Sequence, residues 1–142
     1  MTRTLTLVLS LLAFSATGAA AQTWRDYIQN SIYRDTRAWR DAGYSSGTVR
    51  TATLYDGDGT DLYYTLAAGV SYRFVGECDS KCYDLDLELY DGSGNLIDSD
   101  VEDDDTPVVS VTPRWTGQFR VHVHMADCGN DYCGYGVGVY IR

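Results

Sequence analysis

The stretch 83–90 reads YDLDLELY, with leucines at 85, 87 and 89 alternating with acidic residues at 84, 86 and 88. Successive side chains of a β-strand point to opposite faces, so this strand has one apolar and one acidic face. A second stretch, 118–125, reads QFRVHVHM and alternates Phe, Val, Val and Met with Arg and His. Both patterns predict strands that bury one face in a core and expose the other to water.

The period of two continues from Gly47 to the end of the chain. Turns rich in Gly, Asp and Ser separate the segments, as at 56–59 (DGDG) and 91–94 (DGSG). The predicted strands cover 48–55, 62–66, 70–76, 83–90, 95–98, 108–112, 118–125 and 135–141. Eight short strands with alternating faces and regular turns predict an antiparallel β-sandwich or barrel.

Residues 23–42 predict one amphipathic helix before these strands. Its apolar residues recur at helical spacing and are Trp24, Ile28, Ile32 and Trp39. Thr23 and Asp26 resemble a capping box, and Gly43 stands where a glycine commonly ends a helix. The segment is also rich in arginine, so two interactions remain open. The helix packs on the sandwich through its apolar stripe, or it engages an anionic surface such as membrane phospholipid.

Residues 1–21 have the pattern of a secretory signal peptide. Arg3 is followed by the apolar run Leu5–Phe14 and by small residues that end at Ala21. The run is too short to span a bilayer as a helix, so we expect no transmembrane segment. Removal of these 21 of the 142 residues leaves a chain of 121 beginning at Gln22, secreted or periplasmic. Residues 22–46 then form the helix and linker, and 47–142 the sandwich domain.

The four cysteines suit an exported protein, in which an even number predicts disulfides. Cys78 and Cys82 flank one short polar turn, and Cys128 and Cys133 flank another. Three connectivities are open, and we favour the two local bridges. A zinc site of four cysteines is the alternative, although its usual pairs are spaced more tightly.

The chain carries 20 acidic and 11 basic residues, a net charge of −9, which argues against a nucleic-acid partner and favours a monomer. Residues 77–105 alone hold twelve acids and one base. Calcium binds clustered carboxylates, so we expect either no cofactor or a calcium ion on this segment. The candidate ligands are Asp98, Asp100, Glu102, Asp103 and Asp105. The alternative is a solvated acidic surface.

The last two strands predict a candidate ligand shelf if they pair as a hairpin. Burying the alternating apolar residues of both strands in the core then places Val123 opposite Val137. The outward residues of this pair are Arg120, His122 and His124 on one strand and Gly136, Gly138 and Tyr140 on the other. Glycine within a strand marks close approach of another group, here the N-terminal helix or a ligand. The two histidines also have a spacing that suits zinc or copper.

Residues 66–140 resemble the bacterial pre-peptidase C-terminal domain. The matching pieces, in the family's order, are LAAG at 66–69, YRF at 72–74, DLDLELYD at 84–91, GNLI at 94–97, TGQFRVHV at 116–123 and YGV at 135–137. The resemblance implies a jelly-roll β-sandwich and a non-catalytic role, either beside a secreted peptidase or as a stand-alone exported module. Some relatives bind protein fibres or calcium. This chain departs from the pattern in having no peptidase domain and in carrying two cysteine pairs.

These observations predict a mainly β protein, a jelly-roll-like antiparallel sandwich preceded by one helix. The expected function is a non-catalytic exported module that contacts a protein or a cell-surface polymer. One alternative is a calcium-regulated adhesion or switch module. The other is a metal-dependent hydrolase or polysaccharide-acting accessory. The motif GYSSG at 43–47 resembles a nucleophile elbow, but the predicted helix precedes it and a strand follows, the reverse of the required order.

Overall fold

The computed structural model describes residues 17–142, and their side chains from residue 23 onward. Most of the predicted signal peptide therefore lies outside the described residues. Two helices, α1 (Thr17–Asp35) and α2 (Arg37–Asp41), precede all the strands. The strands are β1 (Ser45–Tyr55), β2 (Gly59–Leu66), β3 (Tyr72–Cys78), β4 (Cys82–Tyr90), β5 (Leu96–Asp100), β6 (Val108–Val111), β7 (Gly117–Cys128) and β8 (Tyr132–Ile141). Neither described helix is long and apolar enough to cross a membrane.

The strands form two antiparallel four-stranded sheets that pack face to face. One sheet has the order β1-β8-β3-β6 and the other the order β2-β7-β4-β5. This is the strand order of a jelly roll, in which only β4 and β5 form a hairpin within one sheet and every other connection crosses between sheets. The predicted mainly β jelly-roll sandwich is thus confirmed, with each predicted strand present.

The core lies between the sheets and is built from the apolar faces that alternation predicted. Leu85, Leu87 and Leu89 of β4 are fully buried there, as are Val121 and Val123 of β7. Aromatic rings fill the middle of the core, where Tyr64 and Phe74 lie 4.8 Å apart between centroids. The outward side chains of β4 and β7 face solvent, so alternation assigned both faces of these strands correctly.

The predicted single helix is interrupted at Thr36, which separates α1 from α2. Its hydroxyl donates to the carbonyl oxygen of Ile32 and lies 2.6 Å from the Tyr140 hydroxyl, so it is tied to both the helix and the sheet. The predicted capping box is wrong, because Thr23 lies inside α1 rather than at its start. Gly43 has a φ of +89°, the left-handed conformation expected of a glycine after a helix.

Helix α1 lies along a groove that the glycines of β8 provide. A methyl group added to Gly134 would come within 2.4 Å of the Trp24 ring, and one added to Gly136 within 2.6 Å of Ile28. Ile28 and Ile32 are completely buried in this contact. Of the two interactions left open, the structure therefore shows the helix packed on its own sandwich.

A buried acidic group lies beneath the end of α1. Glu77 of β3 is only 4% exposed and shares a hydrogen bond with Asp35. Burial and this neighbouring carboxyl raise the pKa of Glu77 to about 8, so its carboxyl is protonated at neutral pH. The pKa of Asp35 lies below its usual value because Arg34 donates a hydrogen bond to it.

Candidate binding surface

The predicted ligand shelf does not form, because β7 and β8 belong to different sheets. Arg120, His122 and His124 lie on the outer face of the β2-β7-β4-β5 sheet. Gly136 and Gly138 lie beneath α1 on the other sheet. Tyr140 is also covered there, packed edge-on against Trp39. The hairpin prediction is wrong because a jelly-roll crossing buries the same apolar residues as a hairpin would, so alternation cannot distinguish the two pairings.

Each histidine of the outer face is held by a carboxylate. His122 Nδ1 lies 2.8 Å from an oxygen of Asp61, and Arg120 donates to that same oxygen at 3.0 Å. His124 Nδ1 lies 2.9 Å from Asp86. Burial acts to raise the pKa of Asp61, but the hydrogen bonds from His122 and Arg120 outweigh burial and hold that pKa below its usual value. The predicted histidine pair is thus part of a network of polar contacts across three strands.

The structure does not bring the five proposed calcium ligands together. Asp98 accepts the backbone N–H of Ser110 at 2.7 Å, and Asp100 accepts that of Val108 at 2.8 Å. These carboxylates therefore accept hydrogen bonds from the N–H groups that edge strand β6 does not pair with another strand, and they join the two sheets along that side. The other three, Glu102, Asp103 and Asp105, are exposed. Within residues 17–142, no three His, Cys, Asp or Glu side chains are arranged to hold a metal ion.

Both disulfides form locally and lie at one end of the sandwich. Cys78 is bonded to Cys82 in the β3–β4 turn, and Cys128 to Cys133 in the β7–β8 turn. This is the pairing that the sequence favoured, and it leaves no free cysteine in the described chain. We call the turns 55–58, 78–82 and 128–133, together with the adjoining Tyr83, the stapled end.

Hydrogen bonds connect the three turns of the stapled end to one another. Asp79 accepts the N–H of Gly134 through its carboxylate and donates its own N–H to the carbonyl of the same residue. Asp56 accepts the N–H of Cys128 at 2.8 Å. A backbone bond from Gly129 to the carbonyl of Lys81 completes the set. Because the three turns are hydrogen-bonded to one another and two of them are closed by disulfides, their relative positions are fixed.

Three exposed tyrosines project from the stapled end. Tyr55, Tyr83 and Tyr132 are between 58% and 64% exposed. The rings of Tyr55 and Tyr132 pack edge to face with centroids 6.2 Å apart. Tyr83 lies against Gly129, where an added methyl group would come within 2.8 Å of the ring. The Tyr55–Tyr132 pair and Tyr83, which belong to different sheets, thus give this end of the sandwich an exposed aromatic surface.

Tyr55 ends strand β1 and faces solvent rather than the core. The preceding residue, Leu54, packs against the core, so Tyr55 points outward by alternation. The predicted ligand shelf placed Tyr140 on the outer face, whereas α2 covers it. Tyr83 and Tyr132 directly adjoin cysteines of the two turns, and this adjacency was the signal in the sequence that would have located the surface.

Acidic side chains surround the tyrosines. Asp58, Asp127 and Asp131 are exposed beside them. Asp84 lies at the border, and one of its oxygens is buried with no hydrogen-bond partner in the described structure. Burial, followed by the charges of nearby aspartates that include Asp103 and Asp127, raises the pKa of Asp84. Negative charge is therefore concentrated, and only partly compensated, around the aromatic surface.

No family model and no curated protein matches this chain. A solved structure that is similar in fold is that of Aeromonas hydrophila PliG, a periplasmic lysozyme inhibitor of g-type lysozyme. The two share 11% sequence identity with a TM-score of 0.52, over 71% of this chain and 90% of PliG. The structure of the infectious bursal disease virus Gx strain matches with a TM-score of 0.33 at 10% identity, over 68% of this chain and 32% of the viral one. The likeness to PliG supports the β-sandwich fold, and the viral match carries no argument.

Proposed function

We propose that this chain is an exported, non-catalytic module that binds another protein through its stapled end. The observation that carries the proposal is the set of three exposed tyrosines at this end. Tyr83 and Tyr132 directly adjoin disulfide-bonded cysteines, and Tyr55 packs edge to face on Tyr132. Tyrosine offers a large amphipathic surface with few rotatable bonds, which is why it is enriched where proteins bind. Because the turns are already ordered, little conformational entropy is lost when a partner docks.

The fold and the predicted signal peptide support the same function. PliG, which has a similar fold, is a periplasmic inhibitor of an enzyme, so a sandwich of this kind serves as a protein-binding scaffold in one exported protein. Disulfides persist in oxidising compartments outside the cytoplasm, in agreement with a signal peptide over residues 1–21. The resemblance to the pre-peptidase C-terminal domain remains a prediction, as do the calcium-regulated and hydrolase alternatives.

Site-specific photo-crosslinking tests the proposed surface. A photoreactive phenylalanine analogue replaces Tyr132 in one variant and Tyr63 in another, and both are produced with the complete leader in the native host. Tyr63 is the matched control because it is 50% exposed but lies on the outer sheet face, away from the stapled end. We expect one protein to be captured from position 132 and not from position 63. Equal capture from both positions, or none from 132, would contradict the proposal.

Two further measurements complete the test. The mass of the protein recovered from the native host reports export, and we expect the 121 residues that begin at Gln22. A g-type lysozyme is the first enzyme to assay against the purified protein, since it is the target of PliG. Inhibition that is lost in Tyr132→Ala would identify the partner class. Unchanged lysozyme activity would exclude that enzyme and leave the captured protein as the partner to characterise.

A further inference from the structure

We infer that the partner is a basic protein, which meets the stapled end with arginine or lysine side chains. This inference rests on the proposed function and adds the chemistry of the partner. Three separate observations support it: the charge around the tyrosines, the tyrosine rings themselves and an unsatisfied carboxylate at the border of the surface.

The charge of the stapled end is almost entirely negative. Its turns contain Asp56, Asp58, Asp79 and Asp131, and the only base among them is Lys81. The carboxylates of Asp56 and Asp79 are engaged by backbone N–H groups. Asp58 and Asp131, by contrast, are exposed and form no ion pair or hydrogen bond through their carboxylates within residues 23–142. A complementary surface must therefore be positive, because like charges brought together at an interface oppose binding.

The tyrosine rings support the same conclusion. Elsewhere in this fold, arginine guanidinium groups lie over tyrosine rings, as Arg40 does over Tyr33 at 3.7 Å and Arg120 over Tyr90 at 4.1 Å. The three tyrosines of the stapled end have no such cation over them in the described part of the chain. Each of these rings is more than half exposed, so a cation from outside can approach it, an attraction that strengthens when the interface excludes water.

The border of the surface holds a carboxylate that lacks a donor. Asp84 Oδ1 is buried without a hydrogen-bond partner, with Asp103, Asp104 and Asp127 nearby. Asp84 as a whole is half-buried, and this one oxygen lacks a donor. A positive charge brought close to this group of aspartates would offset that cost and their mutual repulsion. A nucleic acid or an anionic membrane would increase the repulsion, so neither fits this end.

The inference is tested with a defined cationic probe. The oxidised protein beginning at Gln22, labelled with ¹⁵N, is titrated with a short arginine-rich peptide, and a glutamate-rich peptide of the same length serves as control. We expect shifts of amide signals confined to 55–58, 79–84 and 127–132, with binding that weakens strongly between about 0.1 M and about 1 M salt. The glutamate-rich peptide is expected to cause no shifts.

Matched charge variants assign the effect to this end. Asp58→Asn with Asp131→Asn is expected to weaken binding of the arginine peptide roughly tenfold. Asp26→Asn with Asp41→Asn removes the same charge from exposed positions on the helices and is expected to bind as the unchanged protein does. Unchanged melting temperatures would show that both double variants remain folded.

The results separate this inference from the proposed function. No shifts, shifts only on the helices or the histidine face, or equal weakening by both double variants would overturn the basic-partner inference. Capture of an acidic protein from position 132 would also overturn it, while leaving the proposed binding surface intact. Absence of any capture from position 132 would instead contradict the proposed function.

Discussion

Glu77→Gln is expected to remove a pH-dependent loss of stability. Glu77 is buried beneath α1, and its pKa in the folded protein is raised to about 8 from an ordinary value of 4.5. Between these values the folded protein keeps the carboxyl protonated while the unfolded chain ionises it. Folding therefore takes up a proton, and stability falls as pH rises from about 4.5 to about 8. Above about pH 8 the loss is complete and no longer grows.

The size of this loss follows from the two pKa values. The interval between 4.5 and about 8 corresponds to about 5 kcal/mol, at 1.36 kcal/mol for each tenfold change in ionisation. Glutamine has nearly the same shape, carries no charge and can donate a hydrogen bond to Asp35 as the protonated carboxyl does. We therefore expect the variant to be more stable than the unchanged protein by several kcal/mol at pH 9, and similar to it at pH 5.

Urea unfolding of both proteins at a series of pH values provides the measurement. Subtracting the two free energies of unfolding at each pH cancels the titration of groups that do not contact Glu77. Asp35, which does contact it, has a pKa below its usual value and stays ionised from pH 5 to pH 9. Glu102→Gln is the control, because Glu102 is exposed. A difference between Glu77→Gln and the unchanged protein that stays constant from pH 5 to pH 9 would refute the reasoning. So would an equal pH-dependent gain in the control.

Three further outcomes are expected. Gly136→Ala forces a methyl group against helix α1 and is expected to lower stability by about 1–3 kcal/mol, measured by urea unfolding; an unchanged midpoint would mean that the helix does not press on this strand. Replacing Cys128 and Cys133 by Ser is expected to cost about 2 kcal/mol and to expose the turn to limited proteolysis; a turn that stays resistant would argue that hydrogen bonds alone fix it. Asp100→Ala removes the acceptor of the Val108 N–H and is expected to cost about 1–3 kcal/mol in excess chelator; a loss seen only with calcium present would instead support a calcium site.

The outer layer of the fold shows where sequence reasoning reached its limit. Periodicity identified the apolar stripe of the helix, and Ile28 and Ile32 are completely buried, as that stripe predicts. It did not identify the break at Thr36, where the threonine hydroxyl contacts the Tyr140 hydroxyl, a partner 104 residues away that periodicity cannot reveal. The glycines of β8 predicted close approach of another group, and the structure shows that group to be α1.

The candidate surface was only partly accessible from the sequence. The cysteine spacing indicated two local disulfides, but it did not show that both turns lie at the same end. That arrangement comes from the crossing connections of the jelly roll, which bring 55–58, 78–82 and 128–133 together. The acidic residues of segment 98–105 were proposed as metal ligands. In the structure Asp98 and Asp100 accept hydrogen bonds from backbone N–H groups of β6.

Alternation of side chains along each strand is a local property, so the sequence alone determined which residues of β4 and β7 face the core. It also located the turns, the helix and the favoured disulfide pairing, since each depends on residues close together in the chain. The choice of neighbour for each strand was decided only in the tertiary structure. Pairing β7 with β8 and crossing between the sheets bury the same apolar residues, so only packing of the whole chain distinguishes them. That choice separated the histidines from the glycines of β8 and gathered the tyrosines at the stapled end.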